Sequence, residues 1–472
     1  MTADPYLAID QGTHASRAIV FDGSGNIVSL AQREVALRRI KTGRVEQDPD
    51  QILASVRECL LSVLANGPDA GAAALATQRS SIVCWDRDTG KALSPVLSWQ
   101  DTRAGAYLDK LQDKAEIIRD KTGLLLSPHY GASKLRWCLD HMPAVGAAAR
   151  ADRLCAGPLV SWLLFHLLDG QPFVCDPANA GRTLLLNRHT LDWDDELLRW
   201  FGLSRDTLPA CTPTLTGYGT LAGTRIPLRI VTGDQPAALY ACGEILPETA
   251  YINMGTGAFV QRALPDGVKA PAGLLESVVY HDERSTRRMM EATVNGAGAA
   301  LSWHMKNTGL EGREKQLTAW LIDVSEPPLF LNGVGGLAAP YWQPDFPSEF
   351  VGGGNAVEQA AGVAESIVFL LAENLQRMRD AAAKEQQIVV SGGLAQADPL
   401  CQKLADLSGV AVSRYPEQEA TAKGAAWLLT DRTRSWCEKP GRFEPEENLA
   451  LKSRYDRWRG AMAQALEPYA LE

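Results

Sequence analysis

The chain lacks any run approaching the ~18 consecutive apolar residues that cross a bilayer. The apolar stretch from Leu159 to Leu168 is short, and His166 interrupts it. Nine cysteines are scattered at positions 59, 84, 138, 155, 175, 211, 242, 401 and 437 without a CxxC pair, so reduced, mostly buried thiols are expected rather than a disulfide framework. The seven histidines form no HxH or HxxxH pair, which argues against a histidine-built metal site. GxSxG and GxxxxGK[S/T] are both missing, which excludes a nucleophile elbow and a P-loop. Basic stripes are missing too, and the formal charge is −9, so nucleic acid is not an expected partner. The first residues, Met1 to Tyr6, carry neither a basic region nor a signal-type apolar core. A cytoplasmic protein with no membrane partner is the expectation.

What the chain does have is a repeated turn. Leu7 to Ile9 is an apolar run that meets the turn Asp10-Gln11-Gly12-Thr13, and a second apolar run ending at Phe21 leaves it. Glycine lets the backbone turn sharply beside a ligand, Thr13 adds a hydroxyl, and Asp10 can hold a cation through water. Half a chain later, Thr249 to Val260 repeats the plan around Asn253-Met254-Gly255-Thr256-Gly257. A third turn, Ser391-Gly392-Gly393, ends another apolar strand. Two such hairpins facing one cleft would grip the β- and γ-phosphates of a nucleotide, with the third turn admitting the adenosine.

At 472 residues the chain exceeds what one core usually supports, so two domains are expected, 1–245 and 246–472, hinged between Ala241 and Thr249. Strands and helices alternate. Asp48-Pro49-Asp50 starts a helix through Leu64, and Ser81 to Trp85 reads as a strand. Leu228 to Thr232 reads as a strand ending at Gly233-Asp234-Gln235-Pro236, where a helix begins. Helices are expected over Ala292 to Trp303, Ala356 to Asp380 and Thr421 to Leu429, and after Asp398-Pro399.

Asp234 is the candidate general base, because the strand-to-helix edge of an α/β sheet faces ligand. A carboxylate there can take the proton of an attacking hydroxyl, in a reaction governed by positioning and charge neutralisation. Helix capping is the competing role. Arg79 can hold a polyol or phosphoryl group by its fork of donors, or serve in a surface ion pair. Trp99 with Asp101 pairs an aromatic plate with a polar acceptor, a combination suited to sugars, although tryptophans more often fill cores.

The ordered set of motifs resembles the FGGY carbohydrate kinases, and within them the glycerol kinase branch. It comprises Asp10-Gln11-Gly12-Thr13 with Ser16-Arg17, Gln78-Arg79, Trp99-Gln100, Asn179 to Thr183, His189 to Asp195, Gly233-Asp234-Gln235, Gly255-Thr256-Gly257, Ala339 to Trp342 and Gly392-Gly393. The resemblance covers nearly the whole chain. It implies an α/β protein of two actin-like (ribonuclease H-like) lobes that bind ATP with Mg2+ and phosphorylate a small polyol or sugar. Asp234 would be the base. Gln78, Arg79, Ser80, Trp99, His129, Tyr130 and Gln235 would line the acceptor pocket. Asp10, Gly12, Thr13, Arg17, Thr256, Gly298, Ser302, Gly392 and Gly393 would lie along the nucleotide, and Asp10 and Asp234 would hold magnesium through water.

The pattern departs from familiar glycerol kinases at several positions. Ser80 replaces a glutamate that binds glycerol hydroxyls, and His129 replaces a pocket tyrosine, with Tyr130 adjacent as a substitute. His14, Ala397 and Ser302 replace a threonine, an asparagine and a glutamine. A catalytically weak nucleotide-binding sensor or scaffold is the alternative reading. An actin-like filament protein or chaperone ATPase would not explain the Gln78-Arg79 and Trp99 pocket. Homo-oligomerisation is left open.

Overall fold

The computed structural model describes residues 5–469 apart from 42, 417, 418 and 434. The chain forms two compact units. Unit 1 contains Met1–Glu244, Ser277–Arg288 and Gln418–Cys437, and unit 2 contains Ile245–Glu276, Met289–Glu417 and Glu438–Glu472. A division into two contiguous halves misses this interleaving, because two later segments return to unit 1.

Unit 1 is built on a six-stranded mixed sheet. Its strands are β1 (Tyr6–Gln11), β2 (Ala15–Phe21), β3 (Ile27–Glu34), β4 (Ala72–Thr77), β5 (Leu215–Thr220) and β6 (Pro227–Gly233), in the order β5–β6–β4–β1–β2–β3. β1 and β2 form the expected antiparallel hairpin, with Asp10 opposite Arg17. β1, β4 and β6 run parallel. Their near-continuous apolar sequences fit strands covered on both faces. Helix α1 (Pro49–Asn66) packs against β1 to β3, and the Asp48 carboxylate caps it by accepting from the Asp50 and Gln51 amides. A helix from the late segment, Ala420–Trp427, packs against β1, β2 and β4. The short helix α2 (Asp234–Leu239) follows β6 directly and packs on that same late helix. The core runs from Leu7 to Val231.

A seven-stranded sheet lies mostly in unit 2, with Ser277–His281 and Thr286–Arg288 of its two outer strands counted in unit 1. The strands are β7 (Thr249–Met254), β8 (Ala258–Ala263), β9 (Leu275–His281), β10 (Thr286–Val294), β11 (Gln387–Ser391), β12 (Val412–Arg414) and β13 (Gly441–Phe443), in the order β9–β10–β8–β7–β11–β12–β13. β7 and β8 form the second hairpin, and β7 runs parallel to β11. Helix α3 (Gly298–Thr308) follows β10, and α4 (Ala356–Met378) opens with an Asn355–Glu358 capping box. The helix expected over Ala292 to Trp303 is corrected at its start. Ala292 and Val294 complete β10, where Ala292 pairs with Val260, and the helix begins only at Gly298. Tertiary pairing overrides alanine's helical preference here. Both units are α/β, as expected, and no described helix is long and apolar enough to cross a membrane.

One expectation about the cysteines is overturned. Cys242 and Cys437, 195 residues apart, form a disulfide within unit 1. Sequence spacing holds no signal for a pairing over that distance. The other seven thiols are free, and six of them are buried.

Candidate active site

The parallel register of unit 1 brings three candidates to one sheet edge. Gln11 pairs with Thr77, and Thr77 pairs with Gly233, so the carboxyl ends of β1, β4 and β6 are level. Asp10, the Gln78-Arg79 pair and Asp234 therefore emerge together, at the edge where open α/β sheets bind ligands.

Two carboxylates stand out at this edge. Burial and the nearby charge of Asp234 push Asp10 up to about 7, although Arg17 opposes this. Asp234 is also raised, by burial, against the opposing charges of Arg79 and Arg182 and the Gln235 amide, which donates to its Oδ1 at 2.8 Å. Arg17 Nη1 lies 3.6 Å from Asp10 Oδ2, and Arg17 Nε lies 3.4 Å from Glu419 Oε2. Two destabilised carboxylates at one sheet edge suit a divalent cation that keeps several waters, the habit of magnesium. Among the described residues, no group of three or more His, Cys, Asp or Glu forms a metal cage. A carboxylate pair completed by water and phosphate needs none.

Arg79 is buried and donates to the Gln235 side chain. Its stem crosses Gly233, where a Cβ would lie 2.4 Å from Arg79 Cδ. Glycine before Asp234 thus makes room for the arginine. Gln78 is fully buried, its Nε2 donating to Gln11 Oε1 at 3.1 Å and Gln47 Oε1 at 3.0 Å. Gln47 in turn donates to the Thr13 carbonyl at 2.8 Å. Gln78 thereby ties the first hairpin to the Arg79 loop.

Trp99 is exposed, with its indole N–H donating to Thr13 Oγ1 at 3.0 Å. Exposed His129 hydrogen-bonds the Trp99 carbonyl through Nδ1 at 3.1 Å. Tyr130 is instead packed into the core. Ser80 is half-buried, and its backbone is left-handed at φ 62°. Asp101 corrects an expectation: rather than offering an acceptor beside Trp99, it is fully buried. It accepts from the Val45 amide at 2.7 Å and ion-pairs with Arg103 at 2.6 Å.

The second hairpin is closed by main-chain bonds. Gly255 N donates to Gly257 O at 2.9 Å, Gly298 N to Gly255 O at 3.0 Å and Ala299 N to Thr256 O at 2.9 Å. Thr256 is exposed, as is Ser302 on α3. A Cβ on Gly298 would meet Gly255 O at 2.8 Å, and one on Gly392 would meet Met254 O at 2.5 Å. Gly393 has open space around it. The Gly392-Gly393 turn lies at the same edge as the hairpin, because Asn253 pairs with Ser391.

Comparison with known proteins decides the family. Residues 5–239 match the N-terminal domain, and residues 250–430 the C-terminal domain, of the FGGY family of carbohydrate kinases. The chain belongs to that family. It is 36% identical over 439 residues to a glycerol kinase of Shewanella amazonensis, covering 89% of each chain. It is 35% identical to a glycerol kinase of Thermus brockianus, covering 97% of this chain and 98% of that one. In fold it matches the glycerol kinase of Plasmodium falciparum, solved with ADP, at a TM-score of 0.89 with 23% identity and 98% of each chain covered. A ligand-bound xylulose kinase of Lactobacillus acidophilus matches at a TM-score of 0.86 with 20% identity, covering 99% of this chain and 98% of that one.

This FGGY kinase also holds residues that sequence reasoning did not single out. Glu419 reaches Arg17 from 402 positions away along the chain, a contact with no signature in sequence. Lys134 is fully buried beneath the Ser80 and Ser98 loops. A lysine among Gly-Ala-Ser and Leu-Arg-Trp was its only hint.

Proposed function

We propose that the chain transfers the γ-phosphoryl group of ATP to a terminal primary hydroxyl of a small polyol or ketose, with Asp234 as general base. The observation that carries this is the convergence of Asp10, Arg79 and Asp234 on one sheet edge, with both carboxylates raised in proton affinity. A carboxylate raised in proton affinity accepts a proton more readily than an ordinary one. Arg79, oriented by Gln235, would hold the acceptor, and Trp99 would form the plate against its carbon face. Thr13, Arg17, Thr256, Gly298, Ser302 and Gly393 would contribute to nucleotide binding. Magnesium, held through water by Asp10 and Asp234, would neutralise charge on the phosphates. Asp234→Asn is expected to keep the fold and ATP binding while turnover falls ~10²–10⁴-fold. Near-full activity of that variant would reject the assignment.

The curated relatives are named glycerol kinases, which makes glycerol the first acceptor to test. Ser80, however, offers a neutral hydroxyl where the glycerol-specific pattern places a carboxylate. Hydrogen bonds to charged groups contribute ~1.5–3 kcal/mol, so glycerol should bind roughly one to two orders of magnitude more weakly than with glutamate present. A four- or five-carbon acceptor should match or exceed glycerol in kcat/KM, and Ser80→Glu should shift preference towards glycerol. Following ADP release with glycerol, tetritols, pentuloses and pentitols on both forms tests this. Tight, exclusive use of glycerol by the unmodified enzyme would overturn it.

A further inference from the structure

Lys134 is an expensive residue that the reaction itself does not use. It lies in the first turns of the helix Gly131–His141, where the positive end of the helix dipole opposes a cation, and it is fully buried. Burial lowers it to about 7, with Arg103 adding to the effect and Asp101 opposing it. Its ammonium donates to two main-chain carbonyls, Ser98 O at 2.7 Å and Ser80 O at 3.1 Å. Ser80 is held in the left-handed region, which a residue with a Cβ seldom adopts without an external restraint. The same helix end donates its Gly131 amide to Arg182 O at 3.2 Å and its Ala132 amide to Thr183 O at 2.7 Å. Four carbonyls from three loops thus converge on one helix start, and those loops carry Arg79, Ser80, Trp99 and Arg182.

We propose that Lys134 is the positioning residue of the acceptor pocket, clamping the Ser80 and Ser98 carbonyls so that Arg79, Ser80 and Trp99 keep their spacing. The proposal rests on reading that region as the acceptor site. It gives Lys134 no contact with substrate; its ammonium acts through the two loops. Because glycine enters the left-handed region without a Cβ penalty, glycine at 80 should replace part of the clamp.

The test uses the full-length enzyme and its best acceptor. Lys134→Met should raise the acceptor KM about tenfold or more while the ATP KM stays within about twofold. Lys134→Gln, which keeps two donors, should fall between. Against the Ser80→Gly background, the acceptor-KM penalty of Lys134→Met should shrink by at least about threefold. An unchanged acceptor KM, a matching rise in both KM values, or an undiminished penalty in the glycine background would overturn the proposal. So would failure of both Lys134 variants to yield folded protein, which would assign the lysine to folding. Trp99→Ala separates the two readings. If it leaves the acceptor KM unchanged, the pocket itself is misplaced; if it raises that KM while Lys134→Met does not, only the clamp fails.

Discussion

The two glycine hairpins share a backbone plan and differ in what they carry. In the first, Asp10 faces Arg17 across the strands, and a buried amide chain of Gln11, Gln78 and Gln47 braces the turn. In the second, the equivalent position is Asn253, which faces Phe259 and donates to Ser391 Oγ at 3.0 Å. The second turn is braced by main-chain bonds and by glycines packed against carbonyls. One hairpin holds charge and the other holds shape. A repeated turn keeps its geometry while its side chains differ, so an alteration of charge should be severe only in the first, and an added methyl mainly in the second.

The largest expected contrast is Asp10→Asn, which should lower kcat by ~10²–10³-fold, the scale seen on removing one preorganised electrostatic group. Gly298→Ala comes next. Its Cβ would press on Gly255 O, and overpacking costs of ~1–3 kcal/mol should raise the ATP KM about tenfold with the acceptor KM unchanged. Arg17→Gln should cost only about two- to fivefold in kcat/KM for ATP, because partly exposed ion pairs are weak. Smallest of all, Asn253→Asp should change ATP kinetics by less than about threefold. Comparable losses from Asn253→Asp and Asp10→Asn would erase the distinction between the hairpins.

Stability should move opposite to activity at Asp10. Its folded form binds a proton up to about 7, whereas the unfolded chain releases it near the ordinary 3.8. The folded state therefore holds more protons between those values, and stability falls as pH rises through that window. Asp10→Asn, which never ionises, should match the parent Tm near pH 4 and exceed it by about 2–5 °C at pH 8. Thermal melts at the two pH values, without magnesium or nucleotide, check this; a lower Tm at pH 8 would contradict the sign.

Much of the local backbone at this sheet edge was legible in short stretches of sequence. Asp10 and Thr13 flank a glycine turn, and Asp234 and the capping Asp48 stand at helix starts, places where a few consecutive residues dictate the backbone. The family order of Gln78-Arg79, Trp99 and Gly392-Gly393 extended that reading to positions with no local signature. The rest depends on long-range packing. Asp101 read as an acceptor beside Trp99 because the sequence does not reveal that Arg103 and the Val45 amide occupy its carboxylate. Gln78 read as a ligand group, whereas its amide lies within the protein's own network. Lys134, Glu419 and the Cys242–Cys437 pair all depend on partners brought together only by the folded chain.

The interleaving of unit 1 has a consequence for synthesis. The sheet of β1 to β6 leaves the ribosome early, but the helix Ala420–Trp427 that covers part of it comes much later. That helix fits closely, since a Cβ on Gly424 would lie 1.9 Å from Ala237 O. Trp436, which packs near Tyr6 and Phe21 with ring centroids 6.0 Å apart in each case, arrives later still. The separation of 195 positions from Cys242 to Cys437 corresponds to about 10–40 s of elongation at ordinary rates. Throughout that interval the nascent amino-terminal half presents an apolar face with no cover of its own. A chain stopped near residue 245 is therefore expected to aggregate unless it is protected, because residues Gln418–Cys437 complete a unit whose sheet was made well before them.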